Sequence, residues 1–284
     1  DIWKQYFFML RTNFTCNTGR TIYDTFFQDT KNRLLFISES LNNPIGQQLQ
    51  ADSFINYRSN RLDSDIKPAT LNRELTTLCS MFNELQRMSL INYKNPLINI
   101  RKLKIQSTEL GYLNYGEIHT LYTSIFSTLN SSLYFVVQIC LATGARWGEA
   151  EKVTLKNLKN GGIEFLDTKN GKNRFIPVAD HITIELKIYF ADNKKFNSCY
   201  SAFRSALKRS GIETPAGQSA HILRHTFASH FIMNGGNILT LQKILGHSSL
   251  NVTTRYAHLA PDYLQDAIKY NPLEFKKADH KEVN

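Results

Sequence analysis

The stretch that decides the fold reads HILRH at residues 221–225, LGH at residues 245–247 and RY at residues 255–256. Its arginines, histidines and tyrosine are side chains that bind phosphate, transfer protons or attack as nucleophiles. They are embedded in apolar sequence of helical period, in which Leu223 and Phe227 are i,i+4 partners. Such amphipathic helices pack their apolar side chains together, so we expect their polar members to face one cleft.

Two further segments belong with this stretch. TGARWGEA, at residues 143–150, directly follows an apolar run that predicts a helix over residues 132–143 and places Arg146 at the end of a core helix. TKNGKNRFIP, at residues 168–177, contains the Asn-Gly pair typical of a two-residue hairpin turn. We therefore expect two short strands, over residues 163–167 and 174–178.

These segments together resemble the C-terminal signature of the tyrosine recombinases, also called phage-type integrases. The resemblance implies that Tyr256 is the nucleophile, that Lys169 on the hairpin is the general acid, and that Glu149 and His225 support the site. The six catalytic positions implied are Arg146, Lys169, His221, Arg224, His247 and Tyr256. Six positions in the right order and spacing make a specific match, whereas any one of them alone would be weak.

Some assignments in this set remain open at the level of sequence. Lys172 lies on the same hairpin as Lys169 and is a rival for its role, and Glu149 is either a partner of Arg146 or a surface charge. His221 and His225 at i,i+4 would also suit zinc, but no Glu lies between them and the neighbouring arginine would repel a cation. We expect neither a metal nor a cofactor.

The fold class predicted is mainly α with a small β-sheet, in two domains. Residues 1–100 predict an all-α core-binding domain, residues 101–112 a linker, and residues 113–284 the tyrosine-recombinase catalytic domain with a C-terminal tail. The strongest helical pattern of the first half follows Pro68, where leucine and phenylalanine recur at steps of three and four. Other helices are expected over residues 2–14, 21–38, 51–61, 114–126, 180–190, 201–210, 221–234, 238–246, 250–258 and 262–270.

The charge of the chain favours a polyanionic partner. The net charge is +10, and residues 101–284 carry most of it, with 23 Lys and Arg against 15 Asp and Glu. The side chains expected to contact DNA are Arg73, Arg101, Lys102, Lys104 and Lys172. No apolar run reaches membrane-spanning length, so no membrane partner is expected. The four cysteines are far apart without a C-x-x-C pair, which fits a reducing, cytoplasmic compartment. The resemblance implies that this is the cytoplasm of a bacterial host cell, where the protein acts on DNA.

The function implied by the resemblance is site-specific recombination through a 3′-phosphotyrosyl intermediate, without metal or ATP, to integrate or excise phage or mobile-element DNA. An Xer-type chromosome-dimer resolvase and a type IB topoisomerase share these motifs or this chemistry and stay open as alternatives. A non-catalytic, site-specific DNA-binding protein is the alternative from another class. The expected partners are double-stranded DNA, further copies of the chain in a tetrameric synapse, and accessory DNA-bending or directionality factors.

Overall fold

The computed structural model describes residues 20–105, 110–166, 173–215 and 217–261. It is mainly α-helical with one small three-stranded antiparallel sheet, which confirms the predicted fold class. The chain divides into two compact units, Asp1–Ser107 and Thr108–Asn284. This division falls inside the segment predicted as the linker.

The N-terminal unit is built from helices α1 (Arg20–Ser40), α2 (Ala51–Asp63) and α3 (Pro68–Arg87), with a 3-10 turn at Gly46–Gln48. The predictions of helices over residues 21–38 and 51–61 and after Pro68 are confirmed, whereas residues 2–14 lie outside the described part. Pro68 is the first residue of α3, a position where its missing N–H costs no hydrogen bond. The predicted stripe of α3 is buried and packs in this unit's core with side chains of α1 and α2.

A polar network lies inside this helical unit. The Glu74 carboxylate accepts hydrogen bonds from the Tyr57 hydroxyl at 2.9 Å and from Arg61 Nη2 at 2.8 Å. Burial and the Glu74 carboxylate raise the pKa of Tyr57, so its hydroxyl stays protonated and donates. The network pairs the buried Glu74 carboxylate with Arg61, which is the condition for a stable charged group in a core.

The basic segment after residue 100 is attached to the N-terminal unit. Asn72 makes two hydrogen bonds to the backbone of Leu103, accepting from its N–H at 2.8 Å and donating to its carbonyl at 2.9 Å. Arg58 donates to the carbonyl of Arg101 at 2.9 Å. Residues 101–105 are therefore held by side chains of α2 and α3, so the predicted linker is anchored to this unit over its first five residues.

The second unit contains seven helices among its described residues. They are α4 (Tyr115–Phe126), α5 (Ser131–Thr143), α6 (Trp147–Ala150), α7 (Asp180–Asp192), α8 (Tyr200–Arg209), α9 (His221–Met233) and α10 (Ile238–Leu245). The helix predicted over residues 114–126 begins with a capping box, in which Asn114 and Glu117 each accept from the other's backbone N–H. The capping residues thus fix this helix start as the sequence indicates.

The sheet has the order β1-β2-β3, with strands Leu158–Lys159, Gly162–Phe165 and Arg174–Pro177. The predicted pairing of the second and third strands is confirmed, with Ile163 opposite Ile176 and Phe165 opposite Arg174. The sequence analysis missed β1, because two residues are too short to show an alternating pattern. The hairpin tip at residues 167–172 lies outside the described residues.

One predicted helix is wrong. Residues 250–258 form two short 3-10 segments, Leu250–Val252 and Thr254–Leu259, instead of an α-helix. Three consecutive β-branched residues, 252–254, lose side-chain freedom in an α-helix and so disfavour it. The backbone instead makes i→i+3 bonds, from Thr253 to Leu250 and from Tyr256 to Thr253.

Helices α5 and α9 pack against each other and form the base of the site. Helix α5 ends at Gly144, whose φ of 65° is left-handed, as the Gly in that position predicts. A Cβ on Gly144 would lie 2.5 Å from Phe227 Cδ1 and 2.6 Å from Leu245 Cδ2. The close contact between the end of α5 and its neighbours therefore requires glycine here. Among the described residues, no helix is both long and apolar enough to cross a membrane.

We expect Gly144→Ala to destabilise the protein by roughly 1–3 kcal/mol, because it combines a left-handed backbone with an overpacked contact. The matched control is Gly148→Ala, since a Cβ there meets nothing within 4 Å and alanine favours helix. Denaturant unfolding of the parent and both variants measures the difference. Equal stability of the two variants would contradict the steric argument.

Candidate active site

Arg224 is a buried arginine at the centre of the second unit, with a relative exposure of 5%. Its Nη1 donates to the carbonyl of Gly144 at 2.8 Å and its Nη2 to the carbonyl of Leu245 at 2.7 Å. These two carbonyls stand at the C-terminal ends of α5 and α10, and a left-handed glycine ends each helix, Gly144 and Gly246. Helix C-termini carry partial negative charge, so both ends hold and orient the guanidinium.

The charge of Arg224 is nevertheless poorly compensated. Its pKa is lowered to about 10, first by burial and then by the positive charges of Arg146 and Arg174. Three guanidiniums thus lie close enough to influence one another. A cluster of this kind is a binding site for an anion with several oxygen acceptors, such as a phosphate group.

The Glu149 carboxylate joins two of these arginines. Arg146 Nη1 donates to Glu149 Oε1 at 2.9 Å, and Arg174 Nη2 donates to Glu149 Oε2 at 2.7 Å. Burial raises the pKa of Glu149, but the hydrogen bonds from Arg174 and Arg146 and their charges lower it overall to about 2. The sequence left open whether Glu149 is a partner of Arg146 or a surface charge. The structure shows that it is a partner of Arg146.

Arg174 is the residue of this cluster that the sequence analysis missed. It is on β3, its side chain is only 9% exposed, and its guanidinium carbon lies 4.9 Å from the centre of the Phe165 ring. A Cβ on Gly246 would approach Arg174 Nη1 to 3.1 Å, so the glycine leaves room for this side chain. The signal was present: Arg174 is two residues before the buried Ile176, and alternate residues of a strand share a face.

His247 lies next to the arginine cluster. Its Nδ1 is hydrogen-bonded to Thr253 Oγ1 at 2.8 Å. Burial, followed by the charges of Arg224 and Arg146, lowers the pKa of His247 to about 4, so its imidazole is neutral at pH 7. Thr253 is fully buried and was not singled out from the sequence, because a lone threonine gives no signal of its own.

Tyr256 is buried beside α9, with a relative exposure of 2%. Its hydroxyl is 2.7 Å from His225 Nδ1. Burial raises the pKa of the tyrosine, while the charges of Arg224 and Arg255 act in the opposite direction. The phenol is therefore protonated at neutral pH, and a reaction that uses it as a nucleophile has to remove its proton.

The remaining predicted positions are placed as follows. His221 is the exposed first residue of α9, with its ring centre 6.4 Å from that of His225. Lys169 and Lys172 lie outside the described residues, so the assignment of the general acid to Lys169 stays a prediction. Among the described residues, no group of three or more His, Cys, Asp or Glu side chains is arranged to hold a metal ion. The structure thus brings together Arg146, Glu149, Arg174, Arg224, His225, His247 and Tyr256.

Residues 12–104 match the phage integrase N-terminal domain, and residues 112–262 match the phage integrase family. The chain belongs to the phage integrase family. It is 44% identical to the integrase of Escherichia phage 186 over 247 residues, which are 83% of this chain and 72% of that protein. The integrase of Haemophilus phage HP1 is 42% identical over 249 residues, 85% of this chain and 73% of the relative.

The solved structures agree with this assignment. The catalytic domain of bacteriophage HP1 integrase is 46% identical, with a TM-score of 0.55 over 58% of this chain and 98% of that one. A lambda integrase dimer bound to a COC′ core site has a TM-score of 0.71 over 90% of this chain and 93% of that chain, and its 16% identity supports the fold alone.

The integrase is thus a site-specific tyrosine recombinase of the phage type, an enzyme and not a binding module. Xer recombinases match more distantly; XerC of Oceanobacillus iheyensis is 25% identical over 229 residues, 72% of this chain and 75% of that one.

The low pKa of Glu149 predicts a pH-dependent contribution to stability. The folded pKa of about 2 lies below the unfolded value of about 4.3, so the contribution is present above pH ~4.3 and is lost as the pH falls toward 2. We therefore expect Glu149→Gln to be less stable than the parent at pH 7, and the difference to narrow in that window. Glu213→Gln, at an exposed carboxylate, is the control for thermal unfolding measured from pH 2 to 7. A difference that is constant over this range would contradict the prediction.

Proposed function

We propose that this integrase cuts and rejoins duplex DNA through a covalent bond between Tyr256 and the 3′ phosphate, and so integrates and excises phage or mobile-element DNA. The observation that supports this proposal is the position of the Tyr256 hydroxyl. It is hydrogen-bonded to His225 beside a buried arginine whose charge is not fully compensated. A tyrosine supplies a nucleophile, and the adjacent arginine cluster supplies the positive charge that phosphoryl transfer without a metal requires.

In the proposed reaction Arg146 and Arg224 bind the two non-bridging oxygens of the scissile phosphate. The transition state gathers negative charge on these oxygens, so preorganised guanidiniums lower the barrier. Arg224 is fixed by main-chain carbonyls and Arg146 by Glu149, and neither has to reorganise when the phosphate arrives. His247 and His221 are further donors to the phosphate in this proposal.

The bond energy is kept in the phosphotyrosine, and rejoining therefore needs no ATP. The 5′ oxygen is a poor leaving group until it receives a proton, and Lys169 on the hairpin is the proposed donor. The sheet supports this role indirectly, since β3 begins with Arg174, which is bonded to Glu149. The base of the hairpin is thus tied to the arginine cluster that it has to approach.

Five basic side chains are proposed to contact the DNA backbone outside the site: Arg73, Arg101, Lys102, Lys104 and Lys172. The first four are exposed, and the fifth lies outside the described residues. Three of them, at positions 101, 102 and 104, lie in the segment whose backbone is hydrogen-bonded to Asn72 and Arg58. A fixed row of cations can neutralise neighbouring phosphates, which gives affinity without sequence preference.

Strand exchange joins two duplexes, each with two cleaved strands, and we expect four protomers in the active synapse. Accessory DNA-bending or directionality factors would decide between integration and excision. The segment after Tyr256 is proposed to dock on a neighbouring protomer, and its residues 262–284 lie outside the described part of the chain. The compartment proposed is the cytoplasm of the bacterial host, where the DNA is.

Tyr256→Phe tests the nucleophile. Only the hydroxyl is removed, so we expect unchanged DNA binding and complete loss of the covalent protein–DNA adduct on nicked suicide substrates. A circular dichroism melt checks that the variant folds without the hydrogen bond to His225. A protease-sensitive protein–DNA band formed by the Phe variant would refute the assignment.

Lys169 is tested by changing the leaving group. Sulfur in place of the bridging 5′ oxygen changes the leaving group from an alkoxide to a thiolate. The pKa of the alcohol lies not far below the ~15.7 of water, whereas that of the thiol is about 8.5. The thiolate therefore leaves without a proton. We expect Lys169→Ala to cleave ordinary DNA slowly and the 5′-thio substrate at nearly the parent rate, in single-turnover assays.

Two controls accompany this measurement. Arg146→Ala and Arg224→Ala should stay about 10²–10³-fold slow on both substrates, because the phosphoryl charge still needs stabilising. Lys172→Ala should show little defect on either substrate. Rescue of the Lys172 variant by sulfur, without rescue of the Lys169 variant, would move the role to Lys172.

A further inference from the structure

Glu149 holds Arg146 by both its backbone and its side chain. Glu149 Oε2 accepts from the Arg146 N–H at 2.9 Å, and Glu149 Oε1 accepts from Arg146 Nη1 at 2.9 Å. The Arg146 side chain is 27% exposed, so this carboxylate rather than burial gives the guanidinium its direction. A carboxylate and a phosphate group bind a guanidinium in the same way. Glu149 alone would therefore neutralise the arginine that it orients and compete with the phosphate for it.

Arg174 takes up part of this carboxylate. Arg174 Nη2 donates to Glu149 Oε2 at 2.7 Å, a shorter hydrogen bond than either of those from Arg146. Burial raises the pKa of Glu149, and among the interactions that lower it the hydrogen bond from Arg174 is the largest. The negative charge of Glu149 is thus compensated more by Arg174 than by Arg146.

We propose that Arg174 is a positioning residue, which allows Glu149 to orient Arg146 without neutralising it. This inference rests on the proposed function, in which Arg146 binds a non-bridging oxygen of the scissile phosphate. Arg174 acts through Glu149 and contacts neither the phosphate nor the nucleophile in this proposal.

The sheet fixes the position of Arg174. It is the first residue of β3 and is paired with Phe165 of β2, and its guanidinium carbon lies 4.9 Å from the centre of the Phe165 ring. A Cβ on Gly246 would come within 3.1 Å of Arg174 Nη1, so the end of α10 leaves the space that the guanidinium occupies. Arg174 Nε is buried and has no hydrogen-bond partner within the described part of the chain. Glu149 is therefore the acceptor that determines where this guanidinium points.

The charges of the cluster support this role. Three guanidiniums, those of Arg146, Arg174 and Arg224, and one carboxylate, that of Glu149, give the cluster a net charge of +2. His247 adds no charge at pH 7, because burial and the neighbouring arginines lower its pKa to about 4. Without Arg174 one positive charge is lost, and the carboxylate is paired with Arg146 alone. The negative charge that gathers on the phosphoryl oxygens in the transition state is then stabilised less.

The test is a double-mutant cycle of Arg174→Gln and Glu149→Gln, measured by single-turnover cleavage of a nicked suicide substrate at saturating DNA. We expect Arg174→Gln to slow cleavage about 10–10²-fold in the parent, which is less than the loss of a direct donor. In the Glu149→Gln background the same change should cost less than about 3-fold, because no carboxylate is left to neutralise Arg146. Arg204→Gln, at an exposed arginine, is the matched control and should cleave at the parent rate.

Two further readouts separate this role from others. Arg174→Lys keeps the positive charge, so it should cleave faster than Arg174→Gln. The 5′-thio substrate should not rescue Arg174→Gln, because the variant lacks stabilisation of the phosphoryl charge and not of the leaving group. The melting temperature and DNA affinity of every variant are measured, and cleavage is assayed below the lowest melting temperature. If Arg174→Gln alone does not fold, the pair of variants in the Glu149→Gln background still shows whether Arg174 acts without the carboxylate.

The outcomes are distinct. A parent rate in Arg174→Gln, equal costs in the two backgrounds, or equal rates in the Gln and Lys variants would overturn the proposal. Rescue by sulfur would also overturn it, since Arg174 would then act on protonation of the leaving group. Coupling that appears in the melting temperature but not in the cleavage rate would make the pair a structural salt bridge only. If Arg146→Ala cleaved at the parent rate, or Tyr256→Phe still formed the covalent adduct, the proposed function itself would fail, whatever the result at Arg174.

Discussion

The buried guanidinium of Arg224 is the constraint around which the second unit is arranged. A charge that is 5% exposed has lost most of its hydration, and it is stable only where fixed dipoles replace the water. Here the ends of two helices supply carbonyls, from Gly144 and Leu245. Both helices must stop at these points and point inward, which explains why each ends at a left-handed glycine.

This arrangement stabilises the Arg224 side chain but does not fully neutralise its charge. Main-chain carbonyls offer partial charge, whereas the one carboxylate bonded within the described cluster, Glu149, is shared between Arg146 and Arg174. The described site therefore keeps an excess of positive charge, which disfavours the empty state and favours a bound phosphate. The same excess of positive charge lowers the stability of the free protein and raises its affinity for a phosphate group.

Much of this could be predicted from the sequence, because the signals were local. The Asn114–Glu117 capping box, the glycine that ends α5 and the leucine stripe of α3 each follow from a pattern a few residues long. The parts that were missed depend on contacts between distant residues. Arg174 is one of many arginines until β3 packs beside α6, and Thr253 matters only because His247 lies against it. The helix predicted over residues 250–258 failed because the apolar spacing fitted a helix while three β-branched residues opposed one.

The 3-10 segment that carries Tyr256 has a mechanical consequence. It is six residues long, is held by i→i+3 bonds and stands outside the long helices, so displacing it disturbs no α-helical hydrogen-bond ladder. In the proposed reaction the tyrosine carries one DNA end while the partner strand is exchanged. A short 3-10 segment of this kind can change its position while the phosphate-binding cluster stays rigid and the attached DNA strand moves. The arginines can stay in place for rejoining while the attached strand shifts.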